Sequence, residues 1–259
     1  MKNLKDIQSQ KDTRKVALKK VGIKDLKWPI RVMDKTQELQ NTVATLELSV
    51  GLTSDKRGTH MSRFIEMANN MDSLNPRNLE LLLIHLKERL QAEVAHCKIK
   101  FDYFVKKSSP VTGIVSPNNV VCTFEAELND EFDFIMTVEV PVTTLCPCSK
   151  EISEFGAHNQ RGIVSIAIRM NKLIWMEDIV KIAEESASSP VYSLLKRADE
   201  KFVTEQAYSN PRFVEDVVRE ASIMLDKLEG VVWYSVQVES FESIHNHNAF
   251  AYTEKEGKI

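Results

Sequence analysis

The feature that most constrains the fold of this chain is an internal repeat. Two segments read Asn-Pro-Arg-x-x-Glu, one starting at Asn75 and the other at Asn210, 135 positions later. Asparagine at the N-cap and proline at the first helical position predict that a helix starts at each. Both segments continue with an apolar stripe at helical spacing. In the second copy that stripe comprises Val214, Val217, Val218, Ala221, Met224, Leu225 and Leu228.

The surroundings of the two predicted helices repeat as well. Each is preceded by an alternating strand and by a loop that ends Gly-x-His, and each is followed by another strand. The chain is therefore predicted to be α+β, with two tandem copies of one module. The second copy gains a strand at residues 161–171 and a helix around 190–208. The predicted segments are an N-terminal arm at 1–40, a first module at 41–130 and a second at 131–259.

Composition excludes several classes of protein. Hydrophobic content of 43%, charged content of 27% and a net charge of −3 fit a soluble globular protein without bulk binding to nucleic acid or anionic membranes. The sequence contains no run of about eighteen apolar residues, so no membrane-spanning helix is predicted. The first twenty residues are rich in lysine and lack the apolar core of a signal peptide. A cytoplasmic location with reduced thiols is expected.

The stretch "TTLCPCSKEISEFGAH" is the most informative one for chemistry. Cys146 and Cys148 flank a single proline, a poor spacing for a redox pair, and no second pair completes a zinc ribbon. Cys97 and Cys122 stand alone in strand-like runs and are predicted to be core residues. Cys146 is thus left as a candidate metal ligand, for which further ligands must come from elsewhere in the chain.

Histidines are the candidate partners of Cys146. His158 follows it through a loop, and "ESIHNHNAFAY" supplies His245 and His247. In a strand both of these would share one face, whereas the two asparagines also permit a turn, with a single ligand. One cysteine and two histidines suit a divalent metal with a fourth position open for water. The alternative is that these are scattered polar side chains at loop ends.

Acids and bases complete the candidate residues. Glu215 lies in the first turn of the second repeated helix, off its apolar stripe, and Glu200 lies among charged neighbours. Both would also be ordinary on a solvated helix face. Several basic residues could hold a polyphosphate, although charged loops are usually only solvated. They are Lys56, Arg57, His60, Arg63, Lys150 and Arg161.

Three motifs in this order closely resemble GTP cyclohydrolase IB. They are "PVTTLCPCSKEISEFGAHNQRG", "NPRFVEDVVRE" and "VESFESIHNHNAFA", and "GTHMSRF" in the first copy adds to them. The resemblance implies a tunnelling fold, with two β-β-α-α-β-β modules per chain forming antiparallel sheets that carry helices on one face. It also implies a homotetramer with active sites at subunit interfaces. The implied reaction converts GTP and water to 7,8-dihydroneopterin triphosphate and formate, for folate and queuosine-type synthesis.

The resemblance also implies roles for individual residues. The metal-binding positions fall on Cys146, His158, Glu200 and His245, with one zinc, manganese or ferrous ion per site. Since four protein ligands would close a tetrahedral metal, Glu200 is expected to exchange or to lie outside the ligand shell. Cys146 and Glu215 are expected to act in catalysis, Glu215 by binding the guanine edge. The triphosphate is assigned to the basic candidates on their charge and position alone, with His60, Arg63, Lys150 and Arg161 foremost.

Two other functions compete with hydrolysis of GTP. A nitrile reductase of the same superfamily would use its cysteine as a nucleophile with NADPH, but its Glu-Ser-Lys signature is not found. A non-catalytic protein would use the metal only to stabilise the oligomer. Neither alternative explains the three motifs together, so the cyclohydrolase hypothesis is preferred.

Overall fold

The computed structural model describes residues 6–8, 10–36, 38–69, 71 and 73–256. Antiparallel strands dominate, and helices pack against them. The strands are β1 (Leu18–Met33), β2 (Leu39–Leu52), β3 (Ala95–Ser108), β4 (Val115–Leu128), β5 (Phe132–Leu145), β6 (Asn159–Met170), β7 (Ser189–Pro190), β8 (Val231–Ser240) and β9 (Ala249–Glu256). The helices are α1 (Met61–Ala68), α2 (Pro76–Leu90), α3 (Pro147–Ile152), α4 (Met176–Ser186), α5 (Arg197–Ser209) and α6 (Val214–Leu225).

Two compact units divide the chain. One contains the described residues up to Phe101 together with Thr123–Ile135, and the other contains Asp102–Cys122 together with the described residues from Met136 onward. The last division falls between Ile135 and Met136, and residues 102–122 belong to the second unit. The module boundary expected from the sequence near residue 130 stays a prediction. Strands β3, β4 and β5 contribute residues to both units.

The first unit is built on the long hairpin of β1 and β2. Their register runs from Leu18 opposite Leu52 to Met33 opposite Leu39, and β2 pairs on its other side with the start of β3. Alternate residues of β2 are buried, as period-2 patterning predicts. The range predicted as an N-terminal arm therefore contains a complete strand. The four lysines on β1, which are Lys19, Lys20, Lys24 and Lys27, are all exposed and mask the strand pattern.

The second unit carries the sheet that matters for the site. Strand β5 pairs with β6, β6 with β8, and β8 with the edge strand β9. Helix α6 contacts β8 and β9, and α4 packs on α6 and β6. The extra strand predicted at 161–171 is confirmed as β6, and the extra helix is confirmed as α5, which begins only at Arg197.

The two repeated Asn-Pro-Arg segments fold differently. In the first, Asn75 Oδ1 accepts a hydrogen bond from the Asn78 amide at 2.9 Å and α2 starts at Pro76, as predicted. In the second, the predicted start at Asn210 is wrong, because α6 begins at Val214 and Asp216 Oδ2 accepts from the Phe213 amide at 3.0 Å. Asn210 instead ends α5, and its Nδ2 donates to Ala187 O at 2.9 Å.

The remaining cysteines lie in the core as predicted. Cys97 and Cys122 are both buried. Burial raises the pKa of Cys97 to about 12, and burial likewise raises the pKa of Cys122. Thiols of this kind stay protonated and act as small apolar side chains. Among the described residues, no helix is long and apolar enough to cross a membrane.

Candidate metal and nucleotide site

Cys146 lies where β5 ends and α3 begins. It is the N-cap residue of α3, Pro147 occupies the first helical position, and Cys146 Sγ accepts from the Ser149 amide at 3.4 Å. The thiol is partly buried, whereas Cys148 is exposed. The proline breaks the strand pattern at this point and turns the chain into the helix, so the Cys146 side chain is held by backbone geometry.

His158 is fastened to the same short segment. The Cys146 amide donates to His158 O at 3.1 Å, and the His158 amide donates to Ser149 Oγ at 3.3 Å. The loop between them turns at Gly156, whose φ of 89° lies in the left-handed region that favours glycine. Two of the predicted metal ligands are thus joined by their backbones, at the point where β5 and β6 begin to pair.

Gln160 orients the imidazole of His158, a role that the sequence interpretation missed. Gln160 Nε2 donates to the buried Thr144 Oγ1 at 3.1 Å, so its Oε1 accepts from His158 Nδ1–H at 2.8 Å. This contact leaves Nε2 of His158 as the nitrogen with a lone pair for a metal. The signal in the sequence was the spacing, because residues two apart in a strand share a face.

The loop of residues 241–248 supplies the other histidines. The segment bends between β8 and β9, as its two asparagines predicted, and does not continue as a strand. The His245 ring centroid lies 6.5 Å from that of His158 and 5.1 Å from that of His247, with the last two rings nearly parallel. Glu242, also missed, places Oε2 3.9 Å from His158 Nδ1, and both side chains are largely buried.

Glu200 lies on α5 and is exposed. Within the described part of the chain, no hydrogen bond or ion pair joins its side chain to Cys146, His158 or His245. Nor do three or more His, Cys, Asp or Glu side chains of the described residues form a set placed to hold a metal. The structure therefore brings Cys146, His158 and His245 into one neighbourhood without closing a ligand shell, and the assignment of Glu200 stays a prediction.

Glu215 is exposed in the first turn of α6, where the helix dipole favours an anion. Arg212, a further residue missed from the sequence, connects this turn to the Cys146 segment. Its amide donates to Leu145 O at 3.0 Å, and its side chain bonds Asn210 Oδ1 at 3.0 Å and Glu220 Oε1 at 3.1 Å. The start of α6 is thereby attached to the residue that precedes Cys146.

The basic candidates of the first unit all make contacts within that unit. Their partners are carbonyl or carboxyl oxygens at hydrogen-bond or ion-pair distance, so each side chain already has a place in the fold. Lys56 Nζ donates to Gln91 O at 2.6 Å, Arg57 Nη1 to Gln10 Oε1 at 2.9 Å and Arg63 Nη1 to Arg89 O at 3.0 Å, while His60 Nε2 lies 3.4 Å from Asp6 Oδ2.

The two basic candidates of the second unit differ. Lys150 Nζ donates to Tyr208 O at 2.6 Å and lies 4.4 Å from the centroid of the Tyr208 ring, which ties α3 to the end of α5. Arg161 is exposed and lines an open groove of about 570 Å³ together with Glu139 and Glu239. Of these two side chains, that of Arg161 is the more open to an anionic ligand, although the neighbouring carboxylates offset its charge.

Comparison with solved structures defines the class of the protein. A uricase from Bacillus fastidious aligns with a TM-score of 0.56 over 92% of this chain and 93% of its own, at 8% identity. The uricase from Arthrobacter globiformis aligns with a TM-score of 0.55 over the same shares, also at 8% identity. Likeness at this identity concerns the fold alone. The chain is an α+β protein with the tandem tunnelling fold, as expected.

Sequence comparison then gives the family. A family profile described as Type I GTP cyclohydrolase folE2 matches residues 4–251. The GTP cyclohydrolase FolE2 of Dictyoglomus thermophilum is 56% identical over 97% of this chain and 98% of its own length. That of Thermotoga maritima is 56% identical over 97% of both chains. This chain belongs to the Type I GTP cyclohydrolase FolE2 family, which confirms the resemblance found in its motifs.

Proposed function

We propose that this chain is a metal-dependent hydrolase that converts GTP and water to 7,8-dihydroneopterin triphosphate and formate. The observation that carries the proposal is the backbone hydrogen bond between Cys146 and His158, together with the ring of His245, whose centroid lies 6.5 Å from that of His158. The names of relatives that match nearly the whole chain support GTP as the substrate. The product would enter folate and pterin synthesis, with queuosine-type bases as a further use.

The donor chemistry of this neighbourhood fits a divalent metal. A thiol and two imidazoles suit zinc, manganese or ferrous iron, and the Gln160 contact selects the His158 tautomer that ligation requires. Cys146, His158 and His245 would hold the ion, and Glu200 would take an exchangeable or outer place. A metal bound in this way lowers the pKa of a bound water toward neutrality.

Glu215 would anchor the guanine base. A carboxylate accepts two parallel hydrogen bonds from the amino group and ring N–H of guanine, and adenine lacks this donor pattern. The exposed position in the first turn of α6 leaves the carboxylate open to a ligand, and the Arg212 link holds that turn near Cys146. Substrate binding and selection of the base would therefore rest on one side chain.

The triphosphate would be held by basic side chains. Arg161 is the foremost candidate in the second unit, and His60 and Arg63 are those of the first, while Lys150 would have to give up its contacts with Tyr208. The proposed assembly is a homotetramer with active sites at subunit interfaces. The proposed location is the cytoplasm. An interface would supply the contacts that one chain leaves incomplete around Glu200.

Formate release from GTP tests the proposal. Protein stripped with a chelator and then supplied with zinc, manganese or ferrous iron is expected to regain formate release. Cys146→Ala and Glu215→Gln should each lower the rate by at least about a hundredfold, since each removes a group that acts on the substrate or its metal. Cys148→Ser is the matched control, expected to stay within about twofold because Cys148 is exposed and makes no part of the proposed site. No formate with any metal would refute the proposed function.

A further inference from the structure

Asp199, the residue before Glu200 on α5, is a fully buried carboxylate. It has no solvent exposure, although its neighbours Lys196, Arg197 and Glu200 are all exposed. A buried carboxylate must be compensated by hydrogen bonds, or its loss of hydration destabilises the fold. The compensation here is complete, and it comes from two separate segments of the second unit.

Four hydrogen bonds reach the Asp199 carboxylate. Oδ1 accepts from the amides of Val111 and Thr112 at 2.8 and 2.9 Å, and Oδ2 accepts from Thr112 Oγ1 at 2.7 Å and from the Lys196 amide at 2.9 Å. The Lys196 bond caps the start of α5. The other three bonds come from the turn between β3 and β4, some 87 residues earlier in the sequence.

That turn is itself rigid. Ser109 Oγ lies 2.8 Å from Thr112 Oγ1 and accepts from the Ile114 amide at 2.9 Å. Gly113 has a φ of 68°, in the left-handed region where glycine carries no steric penalty. Asp199 therefore attaches the first turn of α5 to a fixed point of the sheet. The far end of α5 is attached as well, where Lys150 donates to Tyr208 O.

We propose that Asp199 is a positioning residue: it clamps the start of α5 to the β3–β4 turn and so fixes the place from which Glu200 acts on the metal. The inference rests on the proposed function, because it assumes that Glu200 serves the metal. Glu200 makes no side-chain hydrogen bond of its own within the described residues, so its placement depends on the backbone of the first turn. Asp199 is the residue that holds that backbone.

The test uses full-length protein and compares Asp199→Asn with two variants of its partner. The asparagine amide has the same shape as the aspartate carboxylate, but its NH₂ group would face N–H or O–H donors. The variant therefore loses hydrogen bonds to α5 or to the turn without a change of volume. Thr112→Val removes one donor and leaves the three backbone amides, and Thr112→Ser restores the hydroxyl. Glu205→Gln, on the exposed face of the same helix, is the matched control for loss of charge.

Two readouts are taken for each variant, together with formate release. The first is affinity for zinc, measured by competition with a chromophoric chelator, and the second is amide hydrogen exchange of residues 197–209 in metal-free protein. Asp199→Asn is expected to weaken zinc binding by about 10–100-fold and to lower kcat, with little change in KM for GTP. Thr112→Val should shift both readouts the same way by a smaller factor, while Thr112→Ser and Glu205→Gln should match the wild type.

The possible failures are distinct. Wild-type protein that releases no formate with any metal refutes the proposed function, and the inference falls with it. An active wild type together with an Asp199→Asn protein of unchanged zinc affinity overturns only the inference. If Asp199→Asn does not fold, the Thr112 pair decides, because valine and serine variants with equal zinc affinity would overturn the clamp.

Discussion

Removal of the Lys107 charge should destabilise the second unit strongly. Lys107 Nζ lies 2.5 Å from Glu184 Oε1, donates to Val191 O at 2.7 Å and stands 4.2 Å from the centroid of the Tyr192 ring. The side chains of the ion pair are only 10% and 17% exposed. Lys107→Met keeps the apolar stem and leaves the Glu184 carboxylate buried without a partner.

The magnitude follows from that burial. Breaking one side of a buried ion pair costs about 3–5 kcal/mol, and the residual exposure of this pair favours the lower end, about 3 kcal/mol. The double variant Lys107→Met/Glu184→Leu removes the stranded charge as well. The double variant should be only about 1 kcal/mol less stable than the wild type, because it still lacks the hydrogen bond from Lys107 to Val191 O.

The loss should depend on pH in a defined direction. Burial raises the pKa of Glu184 above its ordinary value of 4.5, and Lys107 opposes the rise. In Lys107→Met that opposition is gone, so the folded-state pKa climbs further. A group with a raised folded pKa contributes stability below its unfolded pKa and loses it as pH rises through the folded pKa. The deficit of the variant should therefore be full at neutral pH and shrink as pH falls toward 4.5.

Urea unfolding measures these differences at one fixed protein concentration, since any self-association would make the stability depend on concentration. The wild type, Lys107→Met and the double variant are compared near neutral pH and again near the ordinary pKa of glutamate. A Lys107→Met protein that loses less than about 1 kcal/mol would show that the pair behaves as an exposed one. A double variant less stable than Lys107→Met would show that the stranded carboxylate is not the cause.

Further predictions concern the site and its supports. Gln160→Leu should weaken zinc binding about 10–100-fold, because the His158 imidazole loses its orienting partner; equal affinity in chelator competition would contradict this role. Asp216→Ala should lower the free energy of unfolding by about 1 kcal/mol through loss of the α6 cap, with Asp216→Asn retaining most of it. Urea unfolding checks the pair, and two equally stable variants would reject the cap.

The sequence predicted the strands of the site well because their patterns were local. Alternation of exposed and buried residues in β5 marks its buried face residue by residue, so the strand before the second repeated helix could be predicted from the sequence. β1 was missed because its exposed lysines conceal the alternation. The second Asn-Pro-Arg segment was misassigned for a different reason: the Arg212 amide pairs with Leu145 O, a contact between elements that no local pattern reveals.

For the candidate site, the sequence predicted the types of side chain available but not which of them lie together. A thiol at a strand end and histidines at loop ends limited the possible ligands, and the repeat with its three motifs indicated the family. Gln160, Glu242 and Asp199 were missed because their roles depend on what lies across the sheet or across a turn. Arg212 was quoted within a motif, yet its link to β5 was not visible.

The α+β class, the duplicated module and the residue types available for chemistry could all be read from the sequence, since period, turn residues and donor atoms are local properties. Which of those residues meet depends on the folded chain. Pairing of β5 with β6 brings Cys146 to His158, and a bend before β9 brings His245 beside them. A charged helix face conceals one buried carboxylate, Asp199, because its compensating donors come from a turn distant in the chain. Hydrogen bonds between distant segments depend on the closed fold, and no local pattern encodes them.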